Sequence, residues 1–134
     1  MANILENDIV AHIGKQKYLC TVFWRNGQLI MDEPEILGGQ DLGPDPYSVL
    51  LASLASCTLA TLRMYIDRKG WNISEVNVAL NLEREVDSET TTITKKITFP
   101  PTISEEQKEK LLVIAEKCPI SKILRGNIII DTSV

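Results

Sequence analysis

Residues 46–70 read PYSVLLASLASCTLATLRMYIDRKG, and this stretch dictates how the rest of the chain has to pack. Pro46 suits the first turn of a helix, where its missing N–H group leaves no hydrogen bond unmade. Gly70 is a natural residue for the position just after a helix, and no helix breaker lies between the two. The pattern therefore predicts one long helix that runs from Pro46 to Lys69.

Apolar side chains lie on nearly every side of this predicted helix. They are Val49, Leu50, Leu51, Leu54, Leu59, Leu62, Met64 and Ile66. A helix that is apolar all round has to be buried all round, and one chain offers only a few strands and one other long helix as cover. We infer that a second copy of the chain provides the remaining cover, which makes an intimate homodimer. The alternative is a monomer whose sheet wraps round the helix.

Strand patterns occupy the chain before the helix. Residues 9–13 and 18–24 are rich in β-branched and aromatic side chains, and a polar turn at 14–17 separates them. Asn26-Gly27 is a strong hairpin signal, after which residues 29–32 return as a third strand. Residues 33–46 contain three glycines and three prolines, which predicts a loop of the kind that often carries function.

Three further strands and two helices are predicted after the long helix. Apolar and polar side chains alternate along residues 71–86, which predicts a half-buried strand. Residues 90–99 are predicted as the strand that follows the turn, with Ile93 and Ile97 facing the core. A capping box at 104–107 starts a helix to about Lys117, followed by a short helix at 119–124 and a last strand at 128–132. Hairpin-linked strands favour antiparallel pairing. The prediction is one α+β domain over residues 1–134, with antiparallel sheets around the long buried helix.

Charge and hydropathy exclude several classes of partner. The chain has 134 residues, a net charge of −4 and a pI near 5.0, which argues against a nucleic-acid or anionic-membrane surface. No uninterrupted apolar stretch reaches the roughly 20 residues that span a bilayer. The first eight residues are polar and lack a signal pattern. We therefore expect a cytoplasmic protein without a membrane or nucleic-acid partner.

The cysteine count does not suit a secreted disulfide framework, because three is low and odd. A metal site is also not predicted, since the chain has no CxxC motif and His12, its only histidine, lacks a partner at ligand spacing. In a reducing compartment, a free cysteine of this chain is then expected to be either a packed core residue or a reactive thiol.

Cys57 and Cys118 lie in contexts that favour reactivity. Hydroxyl side chains at 53, 56, 58 and 61 surround Cys57 in the predicted helix. A purely structural core would be expected to have apolar side chains at such positions. Cys118 lies where one helix ends and another begins, and a helix N-terminus lowers the pKa of a thiol. The opposite reading is that both are small core residues. Cys20 lies in the middle of a predicted strand and is interpreted as structural or partly exposed.

Two arginines are candidates for a partner that stabilises a thiolate, and the sequence favours one of them. Arg25 follows the second strand at the hairpin, where it can favour a thiolate and bind the polar end of a substrate, or else be a solvated turn residue. Arg63 follows Cys57 by six residues, about 600° of helix rotation, which leaves it on a different face.

Four segments resemble the OsmC/Ohr family in the family's own order. They are GGQDLGPDPY at 38–47, LLASLASCT at 50–58, LRMYIDRKGW at 62–71 and LLVIAEKCPI at 111–120. The resemblance implies an intertwined α+β homodimer with the cysteine-bearing helices at its centre and active sites at the subunit interface.

The resemblance also implies thiol-dependent reduction of organic hydroperoxides without a bound cofactor. Cys57 matches the peroxidatic cysteine, which becomes a sulfenic acid, and Cys118 matches the resolving cysteine, which forms a disulfide with it. An external dithiol then reduces the Cys57–Cys118 disulfide. Arg25 is the best match to the family's arginine, which steadies the thiolate and the leaving oxygen.

Two positions depart from the family pattern. A glutamate usually precedes the first cysteine by nine or ten residues and holds the arginine, but Ser48 and Tyr47 stand there. Asp45 is the preferred substitute, with Glu33 and Glu35 as alternatives. Many relatives carry histidine where this chain has Ser121.

Three functional hypotheses follow. The first is a peroxidase that uses Cys57 and Cys118 on apolar organic hydroperoxides. The second is a non-catalytic relative that binds a small apolar ligand or senses redox state, which the missing glutamate favours. The third is a dimeric structural protein whose cysteines only pack.

Overall fold

A computed structural model describes residues 2–134, and these form an α+β fold with two antiparallel sheets and one long helix between them in sequence. The elements are β1 (Val10–Ile13), β2 (Cys20–Trp24), β3 (Gly27–Met31), α1 (Pro46–Lys69), β4 (Asn77–Glu85), β5 (Thr90–Thr98), α2 (Glu105–Ala115) and α3 (Pro119–Arg125). The predicted fold class, with antiparallel sheets and a long central helix, is confirmed. The chain divides into two compact units, up to Leu50 and from Leu51 onward, and each is described by itself.

The N-terminal unit contains the three-stranded sheet β1-β2-β3, with each strand antiparallel to the next. Trp24 pairs with Gly27, so Arg25 and Asn26 form the turn and Gly27 is already the first residue of β3. A Cβ atom on Gly27 would lie 2.4 Å from the Trp24 ring, and a side chain at this position would therefore displace that ring. The hairpin prediction is confirmed, with the turn one residue earlier than Asn26-Gly27 and β3 beginning two residues before the predicted start at residue 29.

A buried carboxylate, that of Asp32, organises the loop after β3. It accepts hydrogen bonds from the backbone N–H groups of Tyr18 (3.0 Å), Glu33 (2.8 Å), Gln40 (3.2 Å) and Leu42 (3.2 Å). Burial raises the pKa of Asp32, but the four N–H donors outweigh it and hold the pKa below its ordinary value. A Cβ on Gly39 would lie 2.0 Å from the Glu33 carbonyl oxygen, so the loop can close this tightly only with glycine there.

Helix α1 has the predicted bounds and ends at Gly70, which adopts a positive φ of 68°. Within one chain it buries a single stripe, made of Leu54, Thr58, Leu62, Tyr65 and Ile66. Other apolar side chains remain uncovered, such as Met64, which is 71% exposed. The expectation that one chain leaves part of this helix without cover is met, and the homodimer stays a prediction.

Helix α1 also corrects the expectation about membrane-spanning length. It is long and apolar enough to cross a membrane, by length and composition only, with a mean hydropathy of 1.6 over its most apolar window. The expectation counted uninterrupted apolar residues, whereas uncharged serines and threonines lower the hydropathy of a helix only slightly. The core helix of a globular protein has the same composition, so this observation does not place the chain in a membrane.

The C-terminal unit packs the β4-β5 hairpin and α2 against the second half of α1. Its core includes Leu62, Ile66 and Leu111, each with no exposed surface. Ser104 and Gln107 form the predicted capping box, and α2 ends at Ala115, slightly before the predicted Lys117.

The predicted strand at 128–132 is not formed, and this prediction is wrong for the single chain. Residues 127–134 carry neither helix nor strand, and Ile129 and Ile130 are 91% and 85% exposed. A strand exists only through hydrogen bonds to a neighbouring strand, and neither sheet of the described chain pairs with this segment.

Candidate functional site

The structure brings the thiols of Cys57 and Cys118 together within the C-terminal unit. Cys57 lies half-buried in the middle of α1, and Cys118 has no exposed surface. Each thiol perturbs the other through a side-chain hydrogen-bond interaction. No disulfide joins them, so the described site is the reduced dithiol.

Cys118 is the N-cap residue of α3. Pro119 occupies the first helical position, where proline is common because its missing N–H leaves no hydrogen bond unmade. The Cys118 Sγ atom accepts a hydrogen bond from the backbone N–H of Ser121 at 3.5 Å. Ser121, also buried, accepts a hydrogen bond from Arg125 Nε at 3.3 Å, and Arg125 forms an ion pair with Glu116. The predicted position of Cys118 between two helices is confirmed.

Thr58 connects the thiol pair to the β4-β5 hairpin. It follows Cys57 in sequence but lies on the buried stripe of α1, with no exposed surface. Its Oγ1 atom accepts a hydrogen bond from Lys95 Nζ at 3.2 Å, and its hydroxyl group is one of the causes that lower the pKa of the Cys118 thiol. The sequence analysis did not single out Lys95. The available signal was the two-residue period of β5, which places Lys95 on the same face as Ile93 and Ile97.

The pKa of the Cys57 thiol is raised above its ordinary value. Burial is the largest cause, and the hydrogen bond with Cys118 acts in the same direction. The backbone N–H of Ile120 and the hydroxyl of Thr61 oppose this rise but do not overcome it. Cys57 therefore needs a further cationic or donor group to be a strong nucleophile at neutral pH.

The pKa of the Cys118 thiol is lowered. Burial alone would raise it, but hydrogen bonds from the Cys57 thiol, from the backbone at Ser121 and Ile120, and from Thr58 together outweigh burial.

Arg25 lies exposed in the β2-β3 turn of the N-terminal unit. There it borders a cavity of about 260 Å³ together with Trp24 and residues from the N-terminal segment 4–9. Its predicted association with Cys57 stays a prediction.

The side chain of Asp45 is engaged at the start of α1. Its Oδ1 atom accepts a hydrogen bond from the Ser48 hydroxyl, and Oδ2 accepts one from the Tyr47 N–H at 3.1 Å. The Ser48 bond is the main cause that lowers the pKa of Asp45. The carboxylate therefore stabilises the first turn of the helix, and its role as substitute for the family glutamate stays a prediction.

Three other residues that the sequence analysis considered lie elsewhere. Cys20 is half-buried in β2 and lines an apolar cavity of about 400 Å³ within the N-terminal unit. His12 is exposed on β1, opposite Thr21. Arg63 donates to the Ile73 carbonyl oxygen at 2.8 Å and pairs with Asp67. Among residues 2–134, no group of three or more histidine, cysteine or acidic side chains is placed to hold a metal ion.

Comparisons with known proteins agree with this fold. The profile of the OsmC-like protein family matches residues 38–133. An OsmC-like protein from Mycoplasma pneumoniae is 23% identical, with a TM-score of 0.71 over 92% of this chain and 90% of that one. An organic hydroperoxide resistance protein OsmC from Legionella pneumophila is 18% identical, with a TM-score of 0.68 over 94% and 93%.

A third solved structure is similar to the same extent. It is an organic hydroperoxide resistance protein from Elizabethkingia anophelis, 21% identical, with a TM-score of 0.67 over 93% of both chains. At these identities the structural similarity shows the fold. Among curated proteins, none matches the chain. The profile match covers well over half of the sequence and includes Cys57, Cys118 and the part of the loop from residue 38 to α1. The chain therefore belongs to the OsmC/Ohr family.

Proposed function

We propose that the protein is a thiol-dependent peroxidase that reduces organic hydroperoxides. The observation that carries this proposal is the direct interaction of Cys57 with Cys118 in the reduced protein. Two thiols in contact can trap an oxidised sulfur as a disulfide before it oxidises further. Membership of the OsmC/Ohr family supports a peroxide-related redox role in general.

The proposed reaction uses the two cysteines in sequence. The Cys57 thiolate attacks the terminal oxygen of the hydroperoxide, the O–O bond breaks, and the departing alkoxide takes a proton and leaves as an alcohol. The Cys118 thiolate then attacks the sulfur of the Cys57 sulfenic acid, and hydroxide leaves as water after gaining a proton. An external dithiol reduces the Cys57–Cys118 disulfide and is itself oxidised to a disulfide.

Arg25 has a defined part in this proposal. Because burial raises the pKa of Cys57, its attack requires a group that favours the thiolate. A guanidinium group does so and also stabilises charge on the departing oxygen. We place Arg25 in this role on the family resemblance, with Asp45 as the carboxylate that holds it.

The proposal also includes a homodimer in the cytoplasm. Met64 and other apolar side chains of α1 are exposed in the single chain, as are Ile129 and Ile130. Apolar surface of this extent is typical of a protein–protein interface. A second copy of the chain would bury it.

The test is peroxide consumption by the reduced protein with cumene hydroperoxide and dithiothreitol. Turnover is expected in the parent and in Cys20→Ser, which serves as the matched control because Cys20 lies outside the thiol pair. Cys57→Ser should lose turnover. Cys118→Ser, oxidised by the hydroperoxide after dithiothreitol is removed, should accumulate a Cys57 sulfenic acid that a dimedone label detects by mass spectrometry. Full turnover in Cys57→Ser, or none in the parent, would overturn the proposal.

A second candidate function is redox sensing or binding of a small apolar ligand without turnover. The raised pKa of Cys57 and the non-acidic residues Tyr47 and Ser48 favour it. A ligand-induced rise in melting temperature without peroxide consumption is the result that selects this function over the peroxidase.

A further inference from the structure

A cavity of about 470 Å³ lies in the C-terminal unit, between α1, β5 and α3. Each of these elements contributes one apolar side chain to its walls, namely Leu54, Ile93 and Leu124. Two cations and one carboxylate also line it, which are Lys95, Arg125 and Glu116. Apolar walls with a few polar groups are the usual form of a small-molecule site. The cavity is therefore a candidate site for a ligand that has both an apolar body and a charged group.

Two hydrogen bonds connect the lining of this cavity to the surroundings of the thiols. Ser121, which lines the cavity, donates its backbone N–H to Cys118 Sγ at 3.5 Å. Lys95 donates from Nζ to the Oγ1 atom of Thr58, the residue after Cys57, at 3.2 Å. The cavity thus lies beside the thiol pair.

Lys95 is a half-buried cation on the apolar face of the β4-β5 hairpin. Its neighbours on that face of β5 are Ile93 and Ile97, and its register partner on β4 is Leu80. None of the ion pairs among residues 2–134 includes Lys95, whose hydrogen-bond partner is the neutral Thr58 hydroxyl. A cation in apolar, concave surroundings attracts an anion strongly, because little solvent screens its charge.

Arg125 and Glu116 complete the charge balance of the cavity. Arg125 donates from Nε to Ser121 Oγ at 3.3 Å, and its guanidinium group forms an ion pair with Glu116. This pair offsets the carboxylate, so the charge of Lys95 leaves the lining positive, although the whole chain has a net charge of −4. A ligand with one negative charge would neutralise the cavity.

We propose that this cavity is a carboxylate subsite beside the thiol pair, and that Lys95 makes the protein selective for organic hydroperoxides that carry a carboxylate group. The inference rests on the proposed function, because it names the class of hydroperoxide that the same two thiols reduce. The carboxylate accepts a hydrogen bond from Lys95 Nζ, and a charge-assisted bond of this kind is about twice as strong as a neutral one.

The apolar body of the ligand occupies the rest of the cavity, against the side chains of Leu54, Ile93 and Leu124. Cys57 follows Leu54 by three residues, about 300° of helix rotation, so the two residues lie on adjoining parts of the α1 surface. A hydroperoxy group on the apolar body is thereby directed towards the part of α1 that carries Cys57. The peroxide itself is reduced by the two-thiol reaction described above.

The first test measures binding without turnover. The reduced protein is titrated in a calorimeter with para-isopropylbenzoate and with the neutral para-isopropylbenzamide, which has the same shape. The parent should bind the carboxylate about tenfold more tightly than the amide, as one hydrogen bond to a charged group provides. Lys95→Met should abolish this preference, and Lys95→Arg should keep most of it. Lys96→Met is the matched control and should keep it in full, because Lys96 lies exposed on the opposite face of β5.

Glu116→Gln tests the same charge balance with Lys95 left in place, so the inference is still tested if Lys95→Met does not fold. This variant removes the repelling carboxylate and releases Arg125 from its ion pair, so it should bind para-isopropylbenzoate more tightly than the parent. Three results would overturn the inference: equal affinities for the carboxylate and the amide in the parent, a preference that survives in full in Lys95→Met, or carboxylate binding that is no tighter in Glu116→Gln.

Turnover separates this inference from the proposed function. The parent should show a kcat/KM about tenfold higher with para-carboxycumene hydroperoxide than with its methyl ester. Lys95→Met should bring this ratio close to one, and Lys96→Met should leave it at the parent value. Equal kcat/KM values for the two substrates in the parent would overturn the inference and leave the peroxidase function in place. A carboxylate preference in binding with no turnover of either substrate would reject only the peroxidase function.

Discussion

Oxidation of the thiol pair should stabilise the folded protein. A Cys57–Cys118 disulfide closes a loop of about 60 residues, since the two cysteines stand at positions 57 and 118. The chain-entropy relation for a loop of this length gives about 4 kcal/mol, because the cross-link restricts the unfolded chain. The side chains already interact in the reduced structure, so little rearrangement should offset this gain.

The assay compares unfolding of the two redox states. Protein oxidised by one equivalent of cumene hydroperoxide and protein kept in reductant are unfolded by heat at the same protein concentration, since self-association changes the apparent stability. For a chain of this size, about 4 kcal/mol corresponds to a rise in melting temperature on the order of 10 °C. Cys118→Ser treated identically is the control and should show no rise. Peptide mapping has to identify the disulfide in the oxidised sample. An oxidised protein with the mapped disulfide that melts no higher than the reduced one would refute the reasoning.

Two further predictions follow from the buried carboxylate and the exposed helix face. Because the pKa of Asp32 is lower in the folded than in the unfolded protein, its contribution to the free energy of unfolding is complete above the unfolded value of about 3.9 and lost as pH falls below it. Urea unfolding at several pH values should therefore show a smaller acid-induced loss in Asp32→Asn than in Asp41→Asn, and equal losses would contradict this. The side chain of Met64 is 71% exposed in the single chain, so Met64→Asp should weaken self-association in sedimentation experiments. The control variant Lys96→Asp should leave self-association unchanged. An unchanged mass for Met64→Asp would count against an interface that includes α1.

Local signals predicted most elements, although β4 begins at Asn77, six residues after the predicted start at residue 71. Pro46 and Gly70 delimit α1, Ser104 and Gln107 begin α2, and alternation identifies the inward side chains of β4 and β5. Each of these signals depends on residues within one or two turns of each other, which is the range over which sequence patterns are informative. The segment 128–132 is the exception, since its β-branched residues favour a strand but a strand also requires a partner.

The surroundings of the site were less accessible to prediction. Family motifs identified Cys57 and Cys118, but Lys95 reaches Thr58 across a separation of 37 residues. The period of β5 places Lys95 on the inward face, yet no local pattern tells which helix side chain it meets. Asp32 was likewise passed over, because its four donors come from separate parts of the N-terminal unit.

The amino-acid sequence alone thus determined the long helix, the antiparallel hairpins, the family and the identity of the two candidate thiols. It did not determine how folding shifts the pKa of each thiol, which is raised at Cys57 and lowered at Cys118. Burial raises the pKa of Cys57, whereas the donors that folding gathers around Cys118 outweigh burial there. A thiol pKa depends on the solvent and hydrogen bonds that surround the sulfur, and two of the four donors named for Cys118, Cys57 and Thr58, are distant from it along the chain.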